Sequence, residues 1–117
     1  MKRDWDIIRE VLLKIESTEG YTPIGSDDFE HDNKLVAYNM TLMLEAGLIG
    51  GANARTLDGH VYVERMTWQG HEFLDSIRDD TIWGKTKDKA VSTGLSLTFD
   101  MVVSLAKGFL EDAFKSL

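Results

Sequence analysis

The run LEAGLIGG, from Leu44 to Gly51, changes secondary structure within a few residues, and that change restricts the fold more than any other feature of the chain. Ahead of it, Leu35, Ala37, Met40, Leu42, Met43, Leu44 and Ala46 make residues 32–46 an apolar helix, with Asp32 or Asn33 as N-cap. Its least apolar stripe is Lys34, Tyr38, Thr41 and Glu45, spaced so as to share one face. Gly47 falls where a left-handed residue closes a helix, a conformation glycine adopts without steric cost. Leu48 and Ile49 then read as strand, and Gly50 and Gly51 permit a turn.

Downstream, HVYVERM at 60–66 alternates as a strand, with Val61, Val63 and Arg65 expected on one side and Tyr62, Glu64 and Met66 on the other. The Asp58–Gly59 pair is a turn signal before it, so Leu48–Gly51 and His60–Met66 flank a hairpin. Residues 3–18 form an amphipathic first helix through Trp5, Ile8, Leu12 and Ile15, ended by Gly20. Residues 21–31 are irregular: Ser26 or Asp27 suits the cap of a short helical turn, and Thr22–Ile24 suits a brief strand. Thr67 caps a helix over about 68–80 that turns Phe73, Leu74 and Ile77 inward, and 81–92 continues it or forms a broken extension, with Gly84 and Gly94 as interruptions. Thr98 caps a last helix over 99–116, the cleanest amphipathic pattern in the chain.

Composition restricts the function classes. With no cysteine, disulfides, thiolate nucleophiles and Cys-based zinc sites are excluded. The opening MKRDWDIIRE puts charges where a secretory segment would be apolar, and no apolar run approaches the length of a membrane span, so the cytoplasm is the expected location. The net charge of −7 argues against general affinity for nucleic acid, though not against a local basic patch. That charge is uneven: residues 19–32 hold five acids and no Lys or Arg, whereas 81–94 hold three Lys against Asp88.

The order helix, short element, helix, EAGLI, hairpin and MTWQGHEFL helix is similar to that of a winged helix, and LEAGLI resembles the end of a recognition helix running into the first strand of the wing. MTWQGHEFL resembles the junction of the second wing strand with the next helix in bacterial regulators of this type. More closely, MKRDWDIIREVLLKIE, AYNMTLMLEAGLI and MTWQGHEFLDSIRDDTIWGKTK resemble the family catalogued as domain of unknown function 2513, over nearly the whole chain. That resemblance implies a bacterial or phage setting and a winged-helix-like fold, and it brings no catalytic residue.

Taken together, these readings predict an α+β fold, a winged helix-turn-helix core with a small β-hairpin wing over residues 1–80, followed by a C-terminal helical extension over 81–117 that serves dimerisation or packing. The expected function is a non-enzymatic, DNA-binding transcriptional regulator acting as a homodimer. Its DNA-contact candidates are Asn33, Lys34, Tyr38 and Thr41 on the recognition helix, with Asn39 beside them, and Arg55 and His60 in or near the wing. The dimer-interface candidates are Val102, Val103, Phe109, Leu110 and Phe114.

The alternative is a protein-interaction module that keeps the winged-helix shape without DNA binding. Surface potential separates the two: a basic path joining Lys34, Arg55 and the wing favours double-stranded DNA, and an apolar or acidic face favours a protein partner. No metal or cofactor is expected, since His31, His60 and His71 lack ligand spacing and GLIGGANAR lacks the spacing of a phosphate loop. Ser26 and His31 have no third partner for nucleophilic chemistry. Trp5 and Trp68 are expected in the core, and Trp83 as an anchor for the C-terminal helices or for a partner.

Overall fold

The computed structural model describes residues 1–19, 22–51, 56, 58–94 and 96–117. The architecture is α+β, with five α-helices, one 3-10 turn and two small antiparallel sheets among these residues. The chain divides into two compact units, Met1–Glu72 and Phe73–Leu117, a division inside a helix and ahead of the 80/81 boundary read from sequence.

In the first unit, helix α1 spans Trp5–Ser17, and the Asp4 carboxylate caps it by accepting from the Ile7 N–H at 3.1 Å. Ile7, Ile8, Val11, Leu12 and Ile15 are buried, a single apolar face at helical spacing. Strand β1, Ile24–Gly25, leads directly into the 3-10 turn Ser26–Asp28, so the strand and the helical turn that the sequence offered for this stretch are both present, end to end. Helix α2 spans Asn33–Glu45, with Asp32 as its cap. Val36, Asn39, Met40 and Met43 are its buried face, and the Lys34–Tyr38–Thr41–Glu45 stripe lies opposite.

Gly47 has φ +76, as its place at the helix end predicts. The Leu48 N–H returns to the Met43 carbonyl at 2.9 Å and the Gly47 N–H to the Leu44 carbonyl at 3.1 Å, the two bonds of a left-handed helix stop. Strand β2, Ile49–Gly50, follows. The second arm is split into β3, Tyr62–Val63, and β4, Arg65–Met66. β4 pairs with β2, Ile49 opposite Met66, whereas β3 pairs with β1, Ile24 opposite Val63. The split corrects the expected alternation. Val61, Val63 and Met66 are buried while Arg65 is exposed, so the inward parity slips by one residue at Glu64. The physical reason is the change of pairing partner at that point.

Helix α3, Trp68–Ile77, begins at Thr67, whose hydroxyl accepts from the Gly70 N–H at 3.0 Å and donates to the Gly47 carbonyl at 2.5 Å. A β-carbon at Gly70 would collide with the Leu48 carbonyl oxygen and lie 2.6 Å from Met66 Cγ, so only glycine lets the helix start this close to β2. That close approach is the physical content of the glycine in MTWQGHEFL.

In the second unit, α4 spans Asp80–Thr93 and α5 spans Phe99–Lys115. α4 is a separate helix, because the Asp79 carboxylate caps it by accepting from the Ile82 N–H at 3.0 Å. Gly84 lies inside α4 without interrupting it, contrary to expectation, while Gly94 closes it at φ +66. Thr98 caps α5, accepting from the Met101 N–H at 3.2 Å. Phe73 stacks on Phe99 with ring centroids 4.7 Å apart, and α4 packs against α5.

Candidate recognition surface

The α2 stripe is built from the cap outwards. Lys34 and Glu45 are exposed at its two ends, and Tyr38 and Thr41 are half-buried between them. The Thr41 hydroxyl is turned back onto its own helix, donating to the Ala37 carbonyl at 2.8 Å. Of the six residues expected to meet DNA, the structure therefore leaves Lys34 and Tyr38 as the outward-facing members of α2. Asn39 is fully buried, with its side-chain oxygen on the Asp4 N–H at 2.7 Å and its amide on the Leu35 carbonyl at 3.0 Å, so it is no contact residue.

Asn33 and His60 are brought together, in an internal arrangement. The Asn33 side-chain oxygen accepts from the Ser26 hydroxyl at 2.5 Å and lies 3.1 Å from His60 Nδ1. The Asn33 amide reaches the Gly59 carbonyl at 3.4 Å. Ser26 is itself buried and accepts the Val61 N–H at 3.0 Å. This knot fastens the start of α2, the 3-10 turn and residues 59–61, which lead into β3, to one another. Arg55 lies outside the described residues.

The surroundings of the knot are acidic. His60 Nδ1 is 3.8 Å from an Asp27 oxygen and its Nε2 is 3.8 Å from an Asp58 oxygen. The Thr56 hydroxyl bond, then the His60 backbone N–H, hold the Asp58 carboxyl below its ordinary value of 3.8. Tyr62 reports the same field: burial first, then the negative charges of Asp27, Asp58 and Asp28, push its phenol above the ordinary value of 10.0. Asp27, Asp28, Glu30 and Asp32 are all exposed and form a collar ahead of α2. Over residues 1–72 the sequence holds thirteen Asp and Glu against seven Lys and Arg, so this unit carries −6 of the chain's −7.

Ser26 is tied into the knot, while His31 sits at the surface with Nε2 on Glu10 at 2.8 Å. Among the described residues, no three His, Asp or Glu side chains are placed to hold a metal ion.

The remaining expected residues fall as follows. Val102 is fully buried within the chain, so it has no surface to give a second copy, and Val103, Phe109 and Leu110 are half-buried. Phe114 is 76% exposed and Leu117 98%. Trp68, expected in the core, is 76% exposed, whereas Trp83 is 4% exposed on α4, with the Lys87 ammonium 5.7 Å from its ring. Trp5 is half-buried, with the Arg3 guanidinium 4.4 Å from its ring. Sequence patterning misses the Ser26–Asn33–His60 knot because its members lie far apart along the chain, although SDD followed by DN is the usual signal of polar side chains bonding to local backbone. No helix among the described residues is long and apolar enough to cross a membrane.

Comparison with known proteins gives two matches. The family described as Hypothetical protein (DUF2513) matches residues 2–96. A protein of Haemophilus influenzae (strain ATCC 51907 / DSM 11121 / KW20 / Rd), described as an uncharacterized protein, is 40% identical over 110 residues, covering 92% of this chain and 93% of its own. No solved structure matches.

Proposed function

The chain belongs to the DUF2513 family, and from that premise we propose that it is a non-enzymatic protein-interaction module of winged-helix shape whose recognition-helix face meets a protein rather than DNA. In this reading α2 is the recognition helix and β2 with β3–β4 is the wing. The pairing of β3 with β1 supports it, since the strand between the first two helical elements then closes onto the wing.

The observation that carries the choice of partner is the acidic collar. Asp27, Asp28, Glu30 and Asp32 stand ahead of the α2 N-terminus, where a DNA reader brings cations to phosphate. Lys34 is the single cation on α2. Asn33 and His60, the polar groups best placed by sequence to read bases, are occupied with each other. Phosphate neutralisation supplies most of the affinity of such complexes, so an acid-ringed helix start favours a protein surface. α5 completes the reading as a self-pairing element, because Phe114 and Leu117 extend its apolar stripe past the buried Val102 and Ala106.

The test is fluorescence anisotropy with a labelled random-sequence duplex at ~50 mM salt and protein up to ~100 μM, the weak end of non-specific affinity. The expected result is no complex. A complex that weakens in Lys34→Ala and loses about one unit of salt slope would overturn the protein-partner reading in favour of a DNA-binding regulator.

A further inference from the structure

Beside the collar, the outer face of α1 and the loop leaving the 3-10 turn line an open surface groove of about 690 Å³. That volume falls in the range of about 300–1,000 Å³ typical of ligand sites. Its floor is Leu13 and Phe29, both half-buried. Its rim carries Glu10, Asp28 and Glu30. We propose that this groove docks a peptide segment carrying a large apolar side chain flanked by Lys or Arg. The proposal rests on the protein-partner reading above and names the chemistry of a segment that docks on α1 and residues 28–30, outside the α2 face.

The one Lys of the groove is already used. Lys14 Nζ donates to the Asp28 carbonyl at 2.9 Å and lies 5.1 Å from the Phe29 ring centroid. Those two contacts hold the Phe29 ring in place and direct the Lys14 charge at the protein's own backbone and ring. Glu10 is shared with His31 at 2.8 Å, and Asp28 accepts the Gly25 N–H at 2.7 Å. Glu30 stands exposed at the mouth with no ion-pair partner among the described residues.

The rim carboxylates are spread around an apolar floor, and no three of them converge as a metal site among the described residues, so an inorganic cation is a poor occupant. Spread negative charge suits long cationic side chains, whose apolar stems lie along a floor while their charged heads reach a rim. The apolar floor adds selectivity that charge alone lacks, because it rewards a peptide that buries a side chain between its cations.

The experiment titrates the full chain into three fluorescent probes at low salt: a nine-residue peptide of alternating lysine and leucine, an all-lysine peptide of the same length, and a duplex DNA. The expected result is saturable binding of the lysine–leucine peptide, weakened about tenfold or more by Glu30→Lys and by Leu13→Ser, where tenfold corresponds to about 1.4 kcal/mol. Circular dichroism checks that both variants fold, and Glu30→Lys, an exposed loop change, carries the test if Leu13→Ser does not. Equal binding of the all-lysine peptide overturns the groove proposal, as does a lysine–leucine affinity indifferent to both substitutions or no peptide binding at all. Each of those outcomes leaves the protein-partner reading standing, which falls instead if the duplex binds.

Discussion

The side-chain oxygen of Asn39, in the middle of α2, accepts the backbone N–H of Asp4 at 2.7 Å, and Asp4 is the residue that caps α1. One fully buried amide thus ties the start of the first helix to the centre of the second, and its own N–H₂ is satisfied at the Leu35 carbonyl. Asn39→Leu keeps the size and removes the acceptor, leaving the Asp4 N–H unpaired. A loss of about 1–3 kcal/mol is expected, the usual cost of an orphaned buried donor. Urea unfolding measures it, and an unchanged midpoint would mean that water replaces the amide at no cost.

At Gly47 the left-handed conformation decides the outcome, because a β-carbon there meets nothing within 4 Å and space is no constraint. Gly47→Val is expected to destabilise the fold by about 1–3 kcal/mol, the strain of a β-branched residue at positive φ. Gly47→Asn should retain most of the stability, since asparagine tolerates this region. Equal melting temperatures for valine and asparagine would remove the helix-stop argument.

Gly70 and Gly84 make an opposed pair of predictions. Alanine at Gly70 collides with the Leu48 carbonyl and should destabilise, whereas alanine at Gly84 enters open space inside α4. Gly84→Ala is expected to stabilise by about 0.5–1 kcal/mol, the ordinary helix preference of alanine over glycine. Thermal melts of the two variants on either side of the parent are the expected result, and a stabilising Gly70→Ala would contradict the close approach of α3 to β2.

The depressed Asp58 carboxyl sets a pH dependence. Its folded pKa lies below the unfolded value, so its contribution to stability is present above about pH 4 and is lost as the pH falls through the folded pKa. The largest cause is the Thr56 hydroxyl, so Thr56→Ala is expected to bring the Asp58 titration back up toward 3.8, read from carboxyl carbon shifts by NMR. A titration unmoved by that substitution would assign the depression to the His60 backbone N–H instead.

Exposed Phe114 and half-buried Phe109 and Leu110 are expected to pair two copies of α5. Light scattering during size exclusion should give a dimer mass for the parent and a folded monomer for Phe114→Asp. A parent that stays monomeric at ~100 μM, far above the Kd of a stable interface, would end the self-pairing reading.

Much of this protein is written in short stretches of its sequence. Asp32, Gly47, Thr67 and Thr98 start or stop helices because a cap or a left-handed residue acts on backbone groups within four positions. The placing of Lys34, Tyr38, Thr41 and Glu45 on the face opposite the buried one is equally local, a consequence of helical period alone. What tertiary structure alone decides is which apolar or polar surface meets a neighbour. Trp68 and Trp83 both sit in helices beside apolar positions, yet one is exposed and the other buried. Helical period puts Asn39 on the face of Val36, Met40 and Met43, and what satisfies a polar amide buried there is the Asp4 N–H, from thirty-five residues earlier. The single strand expected over 60–66 is split because β1 and β2 each claim part of it, which shifts its buried side by one residue. Caps and periods are decided by bonds a few residues long. Burial and strand pairing are decided by whichever distant segment supplies the missing partner, and a linear pattern does not contain that choice.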